Sequence, residues 1–347
     1  MSPMTKCGGA ERMMFNIISS LRFTHKVRLV CTSDQQLPKE YEGDIDFISL
    51  NHRHAALAFF DILHEIFRFK PNHVFTISSG SIGWQLVIAK IFLRGNFKVT
   101  VRCGVPPSET YNVNLKTKLL RRITRFAYKW LDLMIAQTEF MRQDLIATYR
   151  LPDRKVMVIR NIIDFDLINR RASECSPLEI ASGGFNIIAV GALYSVKGFD
   201  ILIKSIAELV PEKPNIRLLI IGEERYEKGY KSYLQNLIDS LDLGGYVKLL
   251  GARDNPYPYF KNADLAVMSS RREGFPNVVL EALALETPVV ATDCVDFSGV
   301  IYEGINGFVV KKESEKELRK GILKALDTEF DLNRYKIENF DYNTIFN

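Results

Sequence analysis

Apolar residues follow two alternating patterns along the chain. Short runs of apolar, often β-branched residues alternate with longer stretches in which apolar residues recur every three or four positions. The runs predict buried strands and the stretches predict amphipathic helices. In the first half the order is helix 11–23, strand 26–31, strand 44–50, helix 54–70, strand 73–78, helix 82–93, strand 98–103, helix 115–130, strand 133–138, helix 139–149 and strand 155–160. A second series opens with the strand from Phe185 to Val190, closed by Gly191. It continues with helix 199–210, strand 216–221, helix 230–241, strand 247–250, strand 265–269, helix 278–285, strand 288–292, strand 308–310 and helix 315–327. Such β-α-β alternation implies an α/β fold, with parallel sheets covered by helices on both faces. The stretch 171–184 is rich in Ser, Gly and Pro and predicts a join between two doubly wound domains. In open sheets of this kind ligands bind outside the carboxyl ends of the strands, so the loops there are where chemistry is expected.

At 347 residues the chain is long enough for two domains. Hydrophobic residues at 47% and charged residues at 25% exclude a collagen-like, disulfide-scaffold or largely disordered chain. No apolar run is long enough to cross a bilayer, and the first residues carry no signal-peptide core. The five cysteines are scattered and never spaced C-x-x-C, which fits reduced thiols in a cytoplasmic setting and argues against a zinc site. Charge divides the chain. Residues 1–165 carry 24 Lys and Arg against 14 Asp and Glu, whereas the remainder carries 22 against 27. A basic half joined to an acidic half suggests different partners for each.

The most informative segment is Glu273-Gly274-Phe275-Pro276-Asn277-Val278-Val279-Leu280-Glu281, directly after a buried strand. Gly274 lets backbone approach a ligand, Pro276 suits the entry to a helix, and the helix that follows presents N–H groups and a positive dipole to an anion. Two carboxylates, Glu273 and Glu281, flank that phosphate position, an arrangement suited to a nucleotide sugar. Lys197 and Gly198 follow another parallel strand, placing a cation beside a helix start. Such a cation can neutralise charge on a leaving diphosphate.

These residues resemble glycosyltransferase family 4, retaining enzymes of the GT-B fold whose signature is E-x7-E. The likeness extends to Gly8-Gly9, to Asn161 and Asp164, and to Gly191 with Lys197-Gly198, and so spans nearly the whole chain. It implies an N-terminal acceptor-binding Rossmann-like domain (1–165), a linker (166–184), a nucleotide-sugar-binding Rossmann-like domain (185–330) and the start of a helix returning towards the first domain (331–347). It also assigns roles. Glu281 would bind the donor ribose and Glu273 the donor sugar. Gly274, Phe275, Pro276, Asn277, Val278 and Val279 would contact sugar and diphosphate, together with Gly191 and Arg253. Lys197 would serve the leaving group, and Gly8 and Gly9 would form an acceptor or phosphate loop. The implied activity is hexosyl transfer from a nucleotide sugar, expected to be UDP-linked, to a saccharide or polyprenyl-linked acceptor in cell-surface polysaccharide or glycolipid synthesis. No metal or other cofactor is expected, and no nucleic acid.

Departures from the family pattern are visible. Ala192 stands where an arginine is common after Gly191, and Arg253, Arg271 or Arg272 could replace that charge. Arg102-Cys103-Gly104 lacks the histidine many relatives carry near the acceptor, so no base is assigned. Rival readings are a metal-dependent transferase using Asp44-Ile45-Asp46 or Asp164-Phe165-Asp166, a nucleotide-sugar epimerase, and a shortened, inactive nucleotide-sugar binder. The stretch 115–130 interleaves Lys116, Lys118, Arg121, Arg122, Arg125 and Lys129 with Leu, Ile, Phe and Trp. It predicts either a helix lying on an anionic membrane, at the inner face of the cell membrane, or a core-packed helix with a solvated basic face. Only six residues precede Cys7-Gly8-Gly9, too few for the central first strand of the N-domain. The expectation is a gap in that sheet, a chain shortened at its start and at its end, and weakened activity.

Overall fold

The computed structural model describes residues 9–32, 45–52, 55–77, 79–110, 115–180, 183–225, 227–334 and 341–346. The chain divides into two compact units, residues 1–162 with 339–347, and residues 163–338.

The first unit runs α1 (Gly9–Leu21), β1 (Arg28–Cys31), β2 (Asp46–Ser49), α2 (Phe59–Phe69), β3 (His73–Thr76), α3 (Ser81–Phe92), β4 (Lys98–Arg102), α4 (Pro107–Thr110), α5 (Leu115–Ala127), β5 (Leu133–Ala136), α6 (Glu139–Tyr149) and β6 (Val156–Val158). All its strand pairs are parallel. Among the described residues they form two sheets, β1-β2 and β3-β4-β5-β6. The expectation about residues 1–6 lies outside the described residues, as does Gly8; Gly9 opens α1. Val99, Val101 and Met134 point to one face with Leu86, Val87 and Tyr128. On the other face Ile135 packs with Met13 and Ile17 of α1. That alternation is what a strand buried on both faces requires.

The second unit runs α7 (Phe165–Ala172), β7 (Phe185–Val190), α8 (Phe199–Leu209), β8 (Ile216–Ile221), α9 (Tyr230–Ser240), β9 (Val247–Gly251), α10 (Tyr257–Asn262), β10 (Leu265–Met268), α11 (Asn277–Ala284), β11 (Val289–Thr292), β12 (Gly307–Val310) and α12 (Glu315–Leu326). A last short helix, α13 (Asn343–Phe346), belongs to the first unit, where the buried Tyr342 just before it joins Met13 and Ile17. The second unit's sheet is fully parallel, in the order β12-β11-β10-β7-β8-β9. Along β8, Leu218 and Ile220 face α8 and α9, while Leu219 and Ile221 face the side of α10 and α11. The loops after β7, β8, β9 and β10 therefore emerge at one end of this sheet.

The stretch expected as linker begins with α7. Asp164 caps it, its Oδ1 accepting from Leu167 N–H at 2.9 Å, and Ile168 and Ala172 are buried in the core with Tyr257 and Phe260. Polar flanking residues hide this helix in the sequence, because only two of its positions are fully buried.

Candidate functional site

The chemistry gathers where β7 and β10 end. After β7 the chain passes Gly191 and makes one 3-10 turn, Ser195–Lys197, then enters α8 through Gly198. Gly198 has φ of 64°, and a Cβ there would lie 2.1 Å from the Ser269 carbonyl oxygen. Glycine thus permits both the left-handed turn and close contact with the loop after β10. Gly222 permits a similar close approach after β8, where a Cβ would lie 1.8 Å from the Gly191 carbonyl oxygen. The two backbones are also joined by Gly191 N–H donating to Ile221 O at 3.0 Å.

This contact brings together two residues 76 positions apart. Lys197 Nζ lies 2.5 Å from Glu273 Oε1, and the side chains are 20% and 14% exposed. Ser270 Oγ donates to the same oxygen at 2.7 Å. Burial alone would lower the Lys197 pKa, but the Glu273 charge and hydrogen bond outweigh it and raise it. Lys197 is therefore a fixed cation at neutral pH. Cys294, beyond β11, has its thiol pushed up to about 12, first by burial and then by the Glu273 charge. It is a neutral neighbour rather than a nucleophile.

Glu281 is 6% exposed, in the second turn of α11, whose first residue is Asn277 and whose N-cap is Pro276. Phe275 and Val279 turn their side chains into the core, with Phe275 6.1 Å from the Phe297 ring. Val279 N–H donates to Pro276 O at 3.3 Å, and Asn277 and Val278 stay half-buried at the helix start. Glu273 and Glu281 thus bracket a helix N-terminus, the geometry that suits a phosphate flanked by hydroxyl-bearing groups.

The arginines that could stand in for a cation at Ala192 differ. Arg253 is held by Glu179 Oε1 at 3.1 Å and by the Tyr259 hydroxyl at 3.1 Å. Arg271 grips Asp200 through two bonds, at 2.9 and 2.7 Å. Arg272 is exposed. Ser270 and Asp200 were not foreseen as site residues. Nothing local to either marks it, since each acquires its role from a partner on another loop.

In the first unit, Arg102 at the end of β4 is 3% exposed and donates to Asn161 Oδ1, while its Nε has no partner among the described residues. Asp164 acts as the cap of α7. Along α5 and the turn after it, Leu119, Ile123, Phe126 and Trp130 are 59%, 42%, 62% and 44% exposed, alongside exposed Arg121, Arg122 and Lys129. These four apolar side chains are therefore not core positions, although Ala127 of α5 is buried in the core. Among the described residues no helix is long and apolar enough to cross a membrane.

Comparison with known proteins places these features in a lineage. Residues 174–341 match the model of glycosyl transferases group 1, and residues 7–167 that of Glycosyltransferase Family 4. An uncharacterized glycosyltransferase of Methanocaldococcus jannaschii is 32% identical over 68% of this chain, and the match spans 59% of that relative's length. The N-acetylgalactosamine-N,N'-diacetylbacillosaminyl-diphospho-undecaprenol 4-alpha-N-acetylgalactosaminyltransferase of Campylobacter jejuni is 24% identical over 95% of this chain and 90% of its own. The capsular polysaccharide biosynthesis glycosyltransferase CapM of Staphylococcus aureus is 27% identical over 86% and 80%. Among solved structures, Anabaena HepE in complex with UDP superposes with a TM-score of 0.79 at 19% identity, covering 93% of this chain and 88% of that one.

Proposed function

The chain belongs to the family 4 glycosyltransferases of the GT-B fold, and from that premise we propose that it moves a sugar from a UDP-linked donor to a saccharide or polyprenyl-linked acceptor with retention of anomeric configuration. The observation that carries this reading is the meeting of Lys197 and Glu273 beside the start of α11. Glu281 holds the ribose hydroxyls, backbone N–H groups at the start of α11 and Lys197 hold the diphosphate, and Glu273 Oε2 accepts from the sugar. The acceptor hydroxyl oxygen bonds to the anomeric carbon as the bond from that carbon to the phosphate oxygen breaks, and the acceptor proton passes to the departing diphosphate. Negative charge grows on that phosphate oxygen, so a preorganised ammonium and N–H donors lower the barrier. No protein base is needed for this step, in keeping with the absence of histidine after β4.

UDP is favoured because HepE, similar in fold, is described with UDP and with UDP-glucose. A polyprenyl-linked or capsular acceptor is favoured by the names of the Campylobacter and Staphylococcus relatives. The exposed apolar and cationic face of α5 fits an anionic membrane surface, where such an acceptor resides. A binder without turnover is the second reading, favoured by Ala192, which removes one cation beside Gly191. Incubation with radiolabelled UDP-sugars and a panel of polyprenyl-diphosphate saccharides tests the proposal. Labelled product whose new linkage keeps the donor's anomeric configuration supports it. UDP binding with neither transfer nor donor hydrolysis supports the binder.

A further inference from the structure

The position of the Lys197 ammonium depends on a short turn, closed within by Lys197 N–H to Tyr194 O at 3.0 Å and Gly198 N–H to Ser195 O at 3.1 Å. Ser195–Lys197 is a single 3-10 turn that ends at a left-handed glycine. From outside, Ser195 N–H donates to Glu227 Oε2 at 2.9 Å, and the other anchors come from the loop after β10. Arg271 N–H donates to Val196 O at 2.8 Å, the Arg271 guanidinium donates to Ser195 O, and Ser269 Oγ donates to Lys197 O at 2.9 Å. The guanidinium also grips both oxygens of Asp200, at 2.9 and 2.7 Å, and the Tyr230 hydroxyl donates to Asp200 Oδ1 at 3.0 Å. Asp200 lies in the first turn of α8, three residues beyond Lys197. Burial opposes ionisation of Asp200, but the bonds from Arg271 and Tyr230 outweigh it and hold its pKa below the usual range. Arg271 therefore fastens the chain on both sides of Lys197, while Glu273, two residues further on, meets the Lys197 amine. The guanidinium itself lines an open cavity of about 450 Å³ with Ser195, Asp200, Tyr230 and Tyr233, and neither Lys197 nor Glu273 is part of its wall.

We propose that the Arg271 side chain is a positioning residue for sugar transfer, acting through Asp200 and the carbonyl of Ser195 to hold Lys197 against the leaving diphosphate. The proposal rests on the reading of Lys197 as the leaving-group cation. Its planar fork satisfies Ser195 O and both Asp200 oxygens at once, which a single ammonium at the end of a lysine cannot do.

Two measurements on the full chain test it. In the first, lysines are acylated with a water-soluble succinimidyl acetate and quantified by peptide mass spectrometry, with Lys204 as internal reference. Arg271→Lys and Asp200→Asn should each raise the relative labelling rate of Lys197 about fivefold or more, because the turn opens locally while the fold persists. Unchanged labelling in both variants overturns the proposal. The second is a double-mutant cycle on turnover of UDP-glucose. Arg271→Lys should lower kcat about tenfold with little change in KM, and should cost nothing further in a Lys197→Ala background. Additive losses overturn the positioning role while leaving the Lys197 assignment intact. If Lys197→Ala alone leaves kcat unchanged, the leaving-group reading falls and the proposal falls with it.

Discussion

Replacing Lys197 by Met separates the structural from the chemical role of the ion pair. Lys197 Nζ and Glu273 Oε1 are 2.5 Å apart, with side chains 20% and 14% exposed. Removing one partner of a buried pair costs about 3–5 kcal/mol, and the residual solvent access here reduces that to about 2–3 kcal/mol. For a domain of this size such a loss lowers the melting temperature by about 4–12 °C. The readout can be confined to the second unit, because both tryptophans, Trp84 and Trp130, lie in the first. Far-ultraviolet circular dichroism should show the shift and tryptophan fluorescence should not. The double variant Lys197→Met/Glu273→Gln leaves no unpaired carboxylate and should recover more than half of the lost stability. It should not recover turnover, because the cation for the leaving group is still missing. A single variant that melts like wild type, or a double variant as unstable as the single one, would refute the reasoning.

Other outcomes follow from the same geometry. Gly198→Ala should destabilise the second unit by about 2 kcal/mol or more, seen in the same dichroism melt, since its Cβ meets Ser269 O at 2.1 Å in a left-handed backbone. His73 has its pKa lowered to about 4, by burial first and then by Lys98, with Lys90 and His25 also lowering it, Asp132 opposing, Thr100 Oγ1 at 2.7 Å and the Phe346 ring at 4.6 Å. The unfolded chain takes up this proton near 6.5 and the folded chain does not, so the first unit should lose stability as pH falls from 6.5 towards 4. His73→Gln should flatten that dependence in tryptophan-detected melts. Replacing Arg121, Arg122 and Arg125 with Glu should abolish binding to anionic vesicles with unchanged melting, and equal binding of the wild type to neutral vesicles would contradict the membrane role of α5.

Much of the site was legible because its parts sit in one local grammar. A buried strand, a loop with glycine and an amphipathic helix reveal where β10 ends and α11 begins, and the seven residues between Glu273 and Glu281 follow from that grammar. Lys197 was legible for the same reason after β7. The contact between Lys197 and Glu273 was not, because it depends on how closely two loops pack, which Gly198 permits but does not announce. Nor were Ser270 and Asp200 legible as partners: Asp200 meets Arg271 across 71 positions. Helix α10 escaped prediction because four of its six residues, Tyr257, Pro258, Tyr259 and Phe260, are buried consecutively, leaving no helical period to detect. Helix α5 illustrates a different limit. Its apolar stripe fitted a core or a membrane equally, and the sequence does not reveal that Leu119, Ile123 and Phe126 are exposed.

The central claim is that the second unit holds a nucleotide sugar between the Lys197 turn and α11, with Glu281 on the ribose and Glu273 on the sugar. Calorimetric titration of free UDP and of UDP-glucose into wild type, Glu281→Ala and Glu273→Ala tests it most directly. Loss of a charge-assisted hydrogen bond is worth about 1.5–3 kcal/mol. Glu281→Ala should therefore weaken both ligands by about tenfold or more, while Glu273→Ala should spare free UDP and weaken only UDP-glucose. Equal UDP affinity in wild type and Glu281→Ala would contradict the account.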